Sequence, residues 1–241
     1  MQFKAVLSQE TLKTITSAIS TIVDEAKIQI LPTGLKIQAA DPANVCMAFV
    51  EVGAEAFDFY KADDGMIALD LPRLASFAEG KEPVTLELDP ETHKLKISTG
   101  KAKYSMSLLD PSSIKDTPRL PQLDMPCSVS IPGSELQSSI KACMKVCDHV
   151  IIAQEEDFSF EAKGDIDAVK IVYPLAELTG IKQGMSRSLF SLDYMEDIAR
   201  IAGKAAAVKV DSGIDYPGVF SCDIGKVHIR YFVAPRMEQS E

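Results

Sequence analysis

No stretch of the sequence is apolar for the ~18 residues that a membrane span requires. The chain opens on a strand-like MQFKAVL, with neither a charged leader nor an apolar signal core. Both absences lead to the expectation of a soluble, unsecreted protein. Cysteine is scarce: five thiols, an odd number, fit reduced side chains inside a cell better than a disulfide framework. Histidine is scarcer, with His93 and His228 isolated and His149 following Cys143 and Cys147. Those two cysteines fall at apolar helix positions with no fourth ligand spaced nearby, so buried thiols are expected and no metal site. Also missing are a glycine-rich phosphate loop, a serine nucleophile elbow and a zinc-protease pattern. The carboxylates are scattered, without a paired acid and base. The expectation is a protein with no catalytic residue and no cofactor.

A basic excess is missing as well. Lys and Arg number 25 against 35 Asp and Glu, a net charge of −10, which argues against a conventional nucleic-acid binder. Binding depends on where charges lie, however, because fields are screened within about 8 Å at physiological salt.

What the sequence does have is two halves with the same order of elements. In the first, a strand over 2–7 leads into a helix over 8–23, whose apolar positions Leu12, Ile15, Ile19 and Ile22 share one face. Strands follow over 27–31, 35–39 and 45–52, then a short helix over 72–78 with proline in its first turn, then strands over 84–88, 94–98 and 103–109. The second half repeats this at an offset of about 120–125 residues. It reads strand 128–131, helix 134–147, strands 150–154, 158–162 and 168–173, helix 194–202, and strands 207–210, 218–223 and 227–233. Most of these connections are too short for the crossover helix that a parallel pair needs, and suit hairpins. The expected class is α+β: two similar domains of antiparallel sheets, each with a helix pair on one face. The expected boundaries are 1–110 and 127–241. Between them 111–126 forms a connecting loop that carries Pro111, Pro118, Pro121 and Pro126.

The helices present the basic residues. Lys13 lies with Ser17 and Ser20 on the polar face of the first helix, and Ser138, Lys141 and Lys145 share a face of the third. Arg200 and Lys204 fall together on the fourth, beside Asp193 and Asp197, and the second offers Arg73. Much of the acid lies in loops and strands. A second reading stays open: bases toward helix C-termini and acids toward N-termini are what the helix macrodipole favours in any protein.

The closing YFVAPR of residues 231–236 resembles the Tyr-Tyr-Leu-Ala-Pro-Lys ending of the proliferating cell nuclear antigen family, the trimeric sliding clamps of archaea and eukaryotes. Leu12-Lys13, LKIQAADPANV over 35–45, LLD over 108–110 and Leu120-Pro121 fall in family order along the whole chain. The resemblance implies a non-enzymatic processivity factor for DNA replication and repair, found in the cytoplasm with the chromosomal DNA. It implies a closed homotrimeric ring that encircles duplex DNA without reading sequence. DNA contacts carry over to Lys13, Lys141, Lys145 and Arg200, with Arg73 and Lys204 as nearby basic positions. Ser76 and Glu79 stand where the family has lysines, which implies a less basic channel. A partner-peptide pocket maps to Ala40, Asn44, Val45, Leu120, Pro217, Phe232, Ala234 and Pro235, with Ala40 and Asn44 replacing bulkier residues. The implied partners are DNA polymerase, clamp loader, flap endonuclease and DNA ligase, each through a short peptide motif, and no membrane. One subunit edge maps to Lys103, Tyr104, Ser105, Met106 and Ser107; its counterpart is expected after Tyr173, within 174–187. Two other readings stand beside this one: a subunit of a heteromeric or damage-response clamp, and a duplicated small-molecule enzyme that shares only the architecture.

Overall fold

The computed structural model describes residues 1–77, 79–116, 118 and 124–236. The chain divides into two compact units, Met1–Pro118 with Gly225–Ile229, and Arg119–Ile224 with Arg230–Glu241.

The first unit runs β1 (Phe3–Leu7), α1 (Gln9–Ser20), β2 (Glu25–Leu31), β3 (Gly34–Ala40), β4 (Cys46–Gly53), β5 (Phe59–Ala62), β6 (Gly65–Asp70), α2 (Leu71–Ser76), β7 (Val84–Asp89), β8 (Lys94–Thr99) and β9 (Ala102–Ser107). The second runs β10 (Cys127–Ile131), α3 (Gly133–Cys143), β11 (His149–Gln154), β12 (Asp157–Lys163), β13 (Ala168–Pro174), β14 (Thr179–Lys182), β15 (Ser186–Ser191), α4 (Leu192–Ala202), β16 (Val208–Ser212), β17 (Gly218–Ile224) and β18 (Val227–Val233). The order of elements is the same in both. The sheets agree too: orders β5-β1-β7-β8-β9 and β4-β3-β2-β6 become β14-β10-β16-β17-β18 and β13-β12-β11-β15 when nine is added to each strand number. The internal duplication is therefore structural, and the antiparallel pairing matches the expected class.

Local chemistry accounts for the helix starts. Ser8 Oγ accepts from the Thr11 backbone N–H at 3.0 Å, and Asp70 Oδ1 accepts from that of Arg73 at 2.8 Å, each satisfying one orphan donor of a first turn. Pro72 costs α2 nothing at that position. Leu12, Ile15, Ala18 and Ile19 bury the inner face of α1, and Leu136, Ile140 and Cys143 do the same for α3. Within each unit the two helices pack as a pair, and α1 and α3 each lie on strands of their own unit. The α3–α4 approach is close: a Cβ on Gly133 would fall 2.3 Å from the carbonyl oxygen of Ala202 and 2.5 Å from that of Ala205. Edge-to-face rings at Phe158–Phe160 and Phe190–Phe220 fill the second core.

Three expectations need correction. Both halves contain two strands that the period did not reveal, β5 and β6 in the first and β14 and β15 in the second. Helix α1 stops at Ser20, and the backbone N–H groups of Ile22 and Val23 both turn back to the Ile19 carbonyl. Helix α3 stops at Cys143 and α4 at Ala202, so Lys145 and Lys204 lie in the turns that follow and not on helices.

Candidate nucleic-acid face and partner surfaces

On the helix layer of the first unit, Lys13 and Arg73 are exposed, with Ser17 and Ser20 on the same face of α1 as Lys13 and Ser76 beside Arg73 on α2. On that of the second unit, Ser134, Ser138 and Lys141 form an exposed line along α3 that Lys145 continues past its end. Arg200 is exposed but engaged, its guanidinium 2.7 Å from Asp197 three residues earlier. Glu10, Glu135, Asp193 and Glu196 are also exposed on these helices, so the layer is not uniformly positive.

Cations on the strands are more often paired than those on the helices, although Lys61, Lys94, Lys103 and Lys163 make no ion pair among the described residues. Lys4, Lys36, Lys96, Lys170 and Lys209, all on strands, each lie within 3.1 Å of a carboxylate. Lys13, Arg73, Lys141, Lys145 and Lys204 make no ion pair among the described residues. A cation without a fixed carboxylate can exchange its counterions for phosphates and has no internal pair to break first. The strand carboxylates show the opposite state: hydrogen bonding from Lys96, helped by backbone N–H groups at Glu91 and Thr92, holds Asp89 far below the usual carboxylate range.

Among the described residues the sheets end on β5, β9, β14, β6, β13 and β15, and β9 and β13 are the two edges that concern subunit contact. β9 hydrogen-bonds to β8 alone, with Lys103, Tyr104, Ser105 and Ser107 exposed and Met106 buried. Tyr104 stacks on Phe77 at 4.6 Å between ring centres. In the second unit β13 is one edge of the four-stranded sheet; it ends at Pro174 and alternates exposed and half-buried residues. Within 174–187, β14 is also an edge strand, paired with β10 alone.

The pocket positions fall on both units. In the first, Ala40 ends β3, and Asn44 adopts a left-handed backbone (φ 56) in the β3–β4 connection, ahead of half-buried Val45. That connection is organised by Asp41, only 5% exposed, whose Oδ2 accepts from the Ala43 N–H at 3.0 Å and whose Oδ1 accepts from the Cys46 N–H at 2.6 Å. Ala40 also lines an open cavity of about 650 Å³ bordered by the turn after α1, the ends of β2 and β3, and Ser113, Ile114 and Lys115. In the second unit Pro217, Phe232, Ala234 and Pro235 are all half-buried. Arg236 fixes the end of that segment: its N–H donates to the Leu189 carbonyl at 2.7 Å, and its guanidinium lies 3.0 Å from Asp148. Hydrogen bonds from His149 and Arg236 pull the Asp148 carboxyl down to about 2. Leu120 lies outside the described residues. Sequence reasoning missed Asp41; the Asp-Pro step after β3 marked a break there, but a buried carboxylate carries no separate signal.

Among the described residues no group of three or more His, Cys, Asp or Glu side chains is placed to hold a metal. Burial raises the Cys143 thiol to about 11, and Cys147 Sγ donates to the His149 carbonyl at 3.2 Å. Among the described residues no helix is long and apolar enough to cross a membrane.

Residues 2–105 match the N-terminal domain of the proliferating cell nuclear antigen family. Over the whole length, the DNA polymerase sliding clamp of Methanothrix thermoacetophila is 47% identical across 241 residues, covering 98% of this chain and 99% of that one. This chain belongs to the DNA polymerase sliding clamp family. The sliding clamp of Methanosarcina barkeri is 41% identical over 242 residues, again 98% of this chain and 99% of its own length. Among solved structures, the A. fulgidus clamp bound to the C-terminal region of FEN-1 is 33% identical with a TM-score of 0.94, covering 99% of this chain and all of that one. The clamp of Entamoeba histolytica, at 16% identity and a TM-score of 0.88, shares the fold. The duplicated α+β architecture is thus the sliding-clamp fold.

Proposed function

We propose that three copies of this chain close into a ring around duplex DNA, and that the ring tethers enzymes to it without chemistry of its own. The observation that carries this reading is the state of the helix layer: in a chain of net charge −10, five of its six candidate cations, all but Arg200, make no ion pair among the described residues. Lys13, Arg73, Lys141, Lys145 and Lys204 would face the DNA phosphates, with Arg200 contributing less because Asp197 already holds it. The grip is owed to enclosure more than to attraction, which suits a ring that must slide. The edges of β9, at residues 103–107, and of β13 would join neighbouring subunits by extending each other's sheets, removing edges that otherwise invite aggregation.

Enzymes would dock by short peptides whose apolar anchors enter a pocket made from Ala40, Asn44, Val45, Leu120, Pro217, Phe232, Ala234 and Pro235, with residues 111–126 as the connecting loop. The FEN-1 segment bound by the A. fulgidus relative supports a flap endonuclease as one such partner. DNA polymerase, clamp loader and DNA ligase are the others proposed. The test is crosslinked oligomer mass measured together with retention on circular and on linear duplex DNA. A trimer held on circles and lost from linear ends is expected. A chain that stays monomeric until a paralogous subunit is added would replace this reading with the heteromeric one. In Lys141→Ala/Lys145→Ala, the salt dependence of DNA loading should weaken by ~0.9 in log–log slope for each phosphate no longer neutralised.

A further inference from the structure

We propose that the 650 Å³ cavity of the first unit is a further peptide subsite, one that takes an aliphatic side chain followed by a lysine or arginine. The inference rests on the peptide-tether reading above and extends it to a second part of the ligand.

The cavity is built for a side chain of that kind. Its walls are largely apolar, from Ile22 and Val23 in the turn after α1, Ala26 on β2, Ala39 and Ala40 on β3, and Ile114 above. Small residues where β2 and β3 meet it leave room that a partner's branched side chain would fill. Its rim carries four charged side chains, and their states differ. Lys27 is engaged by Asp116, and Lys115 donates to Asn44 Oδ1 at 3.3 Å. Asp24 and Glu25 are exposed and make no ion pair or side-chain hydrogen bond among the described residues. Lys27 is balanced by Asp116, while Lys115 keeps its charge against the neutral Asn44 amide, so the two carboxylates Asp24 and Glu25 still leave the mouth net negative and a cation is the complement.

The same interactions tie residues 113–116 down over the cavity. Lys27 reaches Asp116 from β2, and Lys115 reaches Asn44 in the β3–β4 connection. The strap therefore spans a cavity that begins at Ala40, the pocket position at the end of β3, so one peptide can occupy both.

The experiment uses the full chain and a synthetic C-terminal peptide of FEN-1, the ligand class of the A. fulgidus relative. Four forms are compared at each end of the peptide: unextended, and extended by Ile-Lys-Arg, Ser-Lys-Arg or Ile-Glu-Glu. Affinity is read by fluorescence anisotropy on wild type and on Asp24→Asn/Glu25→Gln. Both replaced side chains are exposed, and circular dichroism checks the fold. At one end, Ile-Lys-Arg should tighten binding to wild type about tenfold, the isoleucine supplying most of it by burial. Ser-Lys-Arg should recover only a few-fold, and Ile-Glu-Glu should fall below Ile-Lys-Arg. The Asp24→Asn/Glu25→Gln protein should lose the advantage of Lys-Arg over Glu-Glu while keeping that of Ile over Ser. Equal binding of all four forms at both ends would overturn the subsite and leave the tether reading standing. If even the unextended peptide fails to bind, the tether reading falls and takes the subsite with it.

Discussion

Gly133→Ala sets two physical effects against each other. Gly133 opens α3 and its φ is not in the left-handed region, so helix propensity taken alone predicts a gain of ~0.5–1 kcal/mol from the alanine. The packing predicts the reverse. The added methyl would sit 2.3 Å from the Ala202 carbonyl oxygen and 2.5 Å from that of Ala205. Both are backbone atoms at the end of α4, with no side-chain rotation to relieve them, so the helix pair must part by roughly 1 Å to restore ordinary packing distances of ~3.5 Å. Overpacking of this kind typically costs ~1–3 kcal/mol, which outweighs the propensity gain. For a chain of this length each kcal/mol moves the melting point by ~2–4 °C, so a fall of about 2–8 °C is expected. Thermal unfolding followed by circular dichroism measures it, with Ser134→Ala, at an exposed neighbour, as the control that should stay near wild type. A Gly133→Ala protein that melts at or above the wild-type temperature would refute the close α3–α4 approach.

Tyr60 donates its hydroxyl toward the carbonyls of Leu31 and Gly34, at 2.7 and 2.8 Å, and burial raises it to about 12. Tyr60→Phe keeps the rings against Phe3 and Phe57 and should cost about 1 kcal/mol, read as a lower urea midpoint; an unchanged midpoint counts against that hydrogen bond. Burial holds the Cys222 thiol near 12 and that of Cys143 near 11, so at pH 8 both stay protonated. Half-buried Cys147 should react first with a thiol reagent, and equal rates for Cys147 and Cys222 in the native protein would contradict their placement. Asp148, drawn down to about 2 by His149 and Arg236, contributes stability that is complete above the unfolded carboxyl value of about 4 and is lost as the pH falls from there toward 2. Unfolding of wild type and Asp148→Asn across pH 2–6 should differ most at the upper end and converge at the lower; parallel curves would exclude the linkage.

The elements legible in sequence are those with one buried face. β2, β3 and β8 alternate in burial as their residues alternate in polarity, and α1 shows its Leu12, Ile15, Ile19 stripe directly. The strands that were missed lack that contrast. β14 is exposed at all four residues and β5 at two, the other two half-buried, so neither has a face for polarity to mark. β15 hides its buried face behind serines: Ser186 and Ser188 are each 1% exposed, bonded to the Gln154 N–H and the Gly213 carbonyl respectively. A polar residue whose hydrogen bonds are met inside reads, in sequence, as a solvated one. The end of α3 was illegible for another reason. Cys147 keeps the apolar spacing one turn past Cys143, and its N–H still reaches the Cys143 carbonyl at 3.3 Å, although the helix has ended. As for the candidate DNA face, the exposure of Lys13 and Lys141 follows from helical period. Their freedom from carboxylates does not, because pairing on the sheets depends on cross-strand register such as Lys4 opposite Glu87.

Asp41 separates two properties of the β3–β4 connection that loops usually bind together. Because its carboxylate gathers the Ala43 and Cys46 N–H groups from within, the path of the chain is set from beneath and owes little to the outward side chains of residues 42, 43 and 45. Those positions can drift in size and polarity while the contour stays put; Asn44, with its left-handed backbone, is the exception. A surface arranged in this way can be retuned for a new ligand one side chain at a time, without the fold having to be solved again.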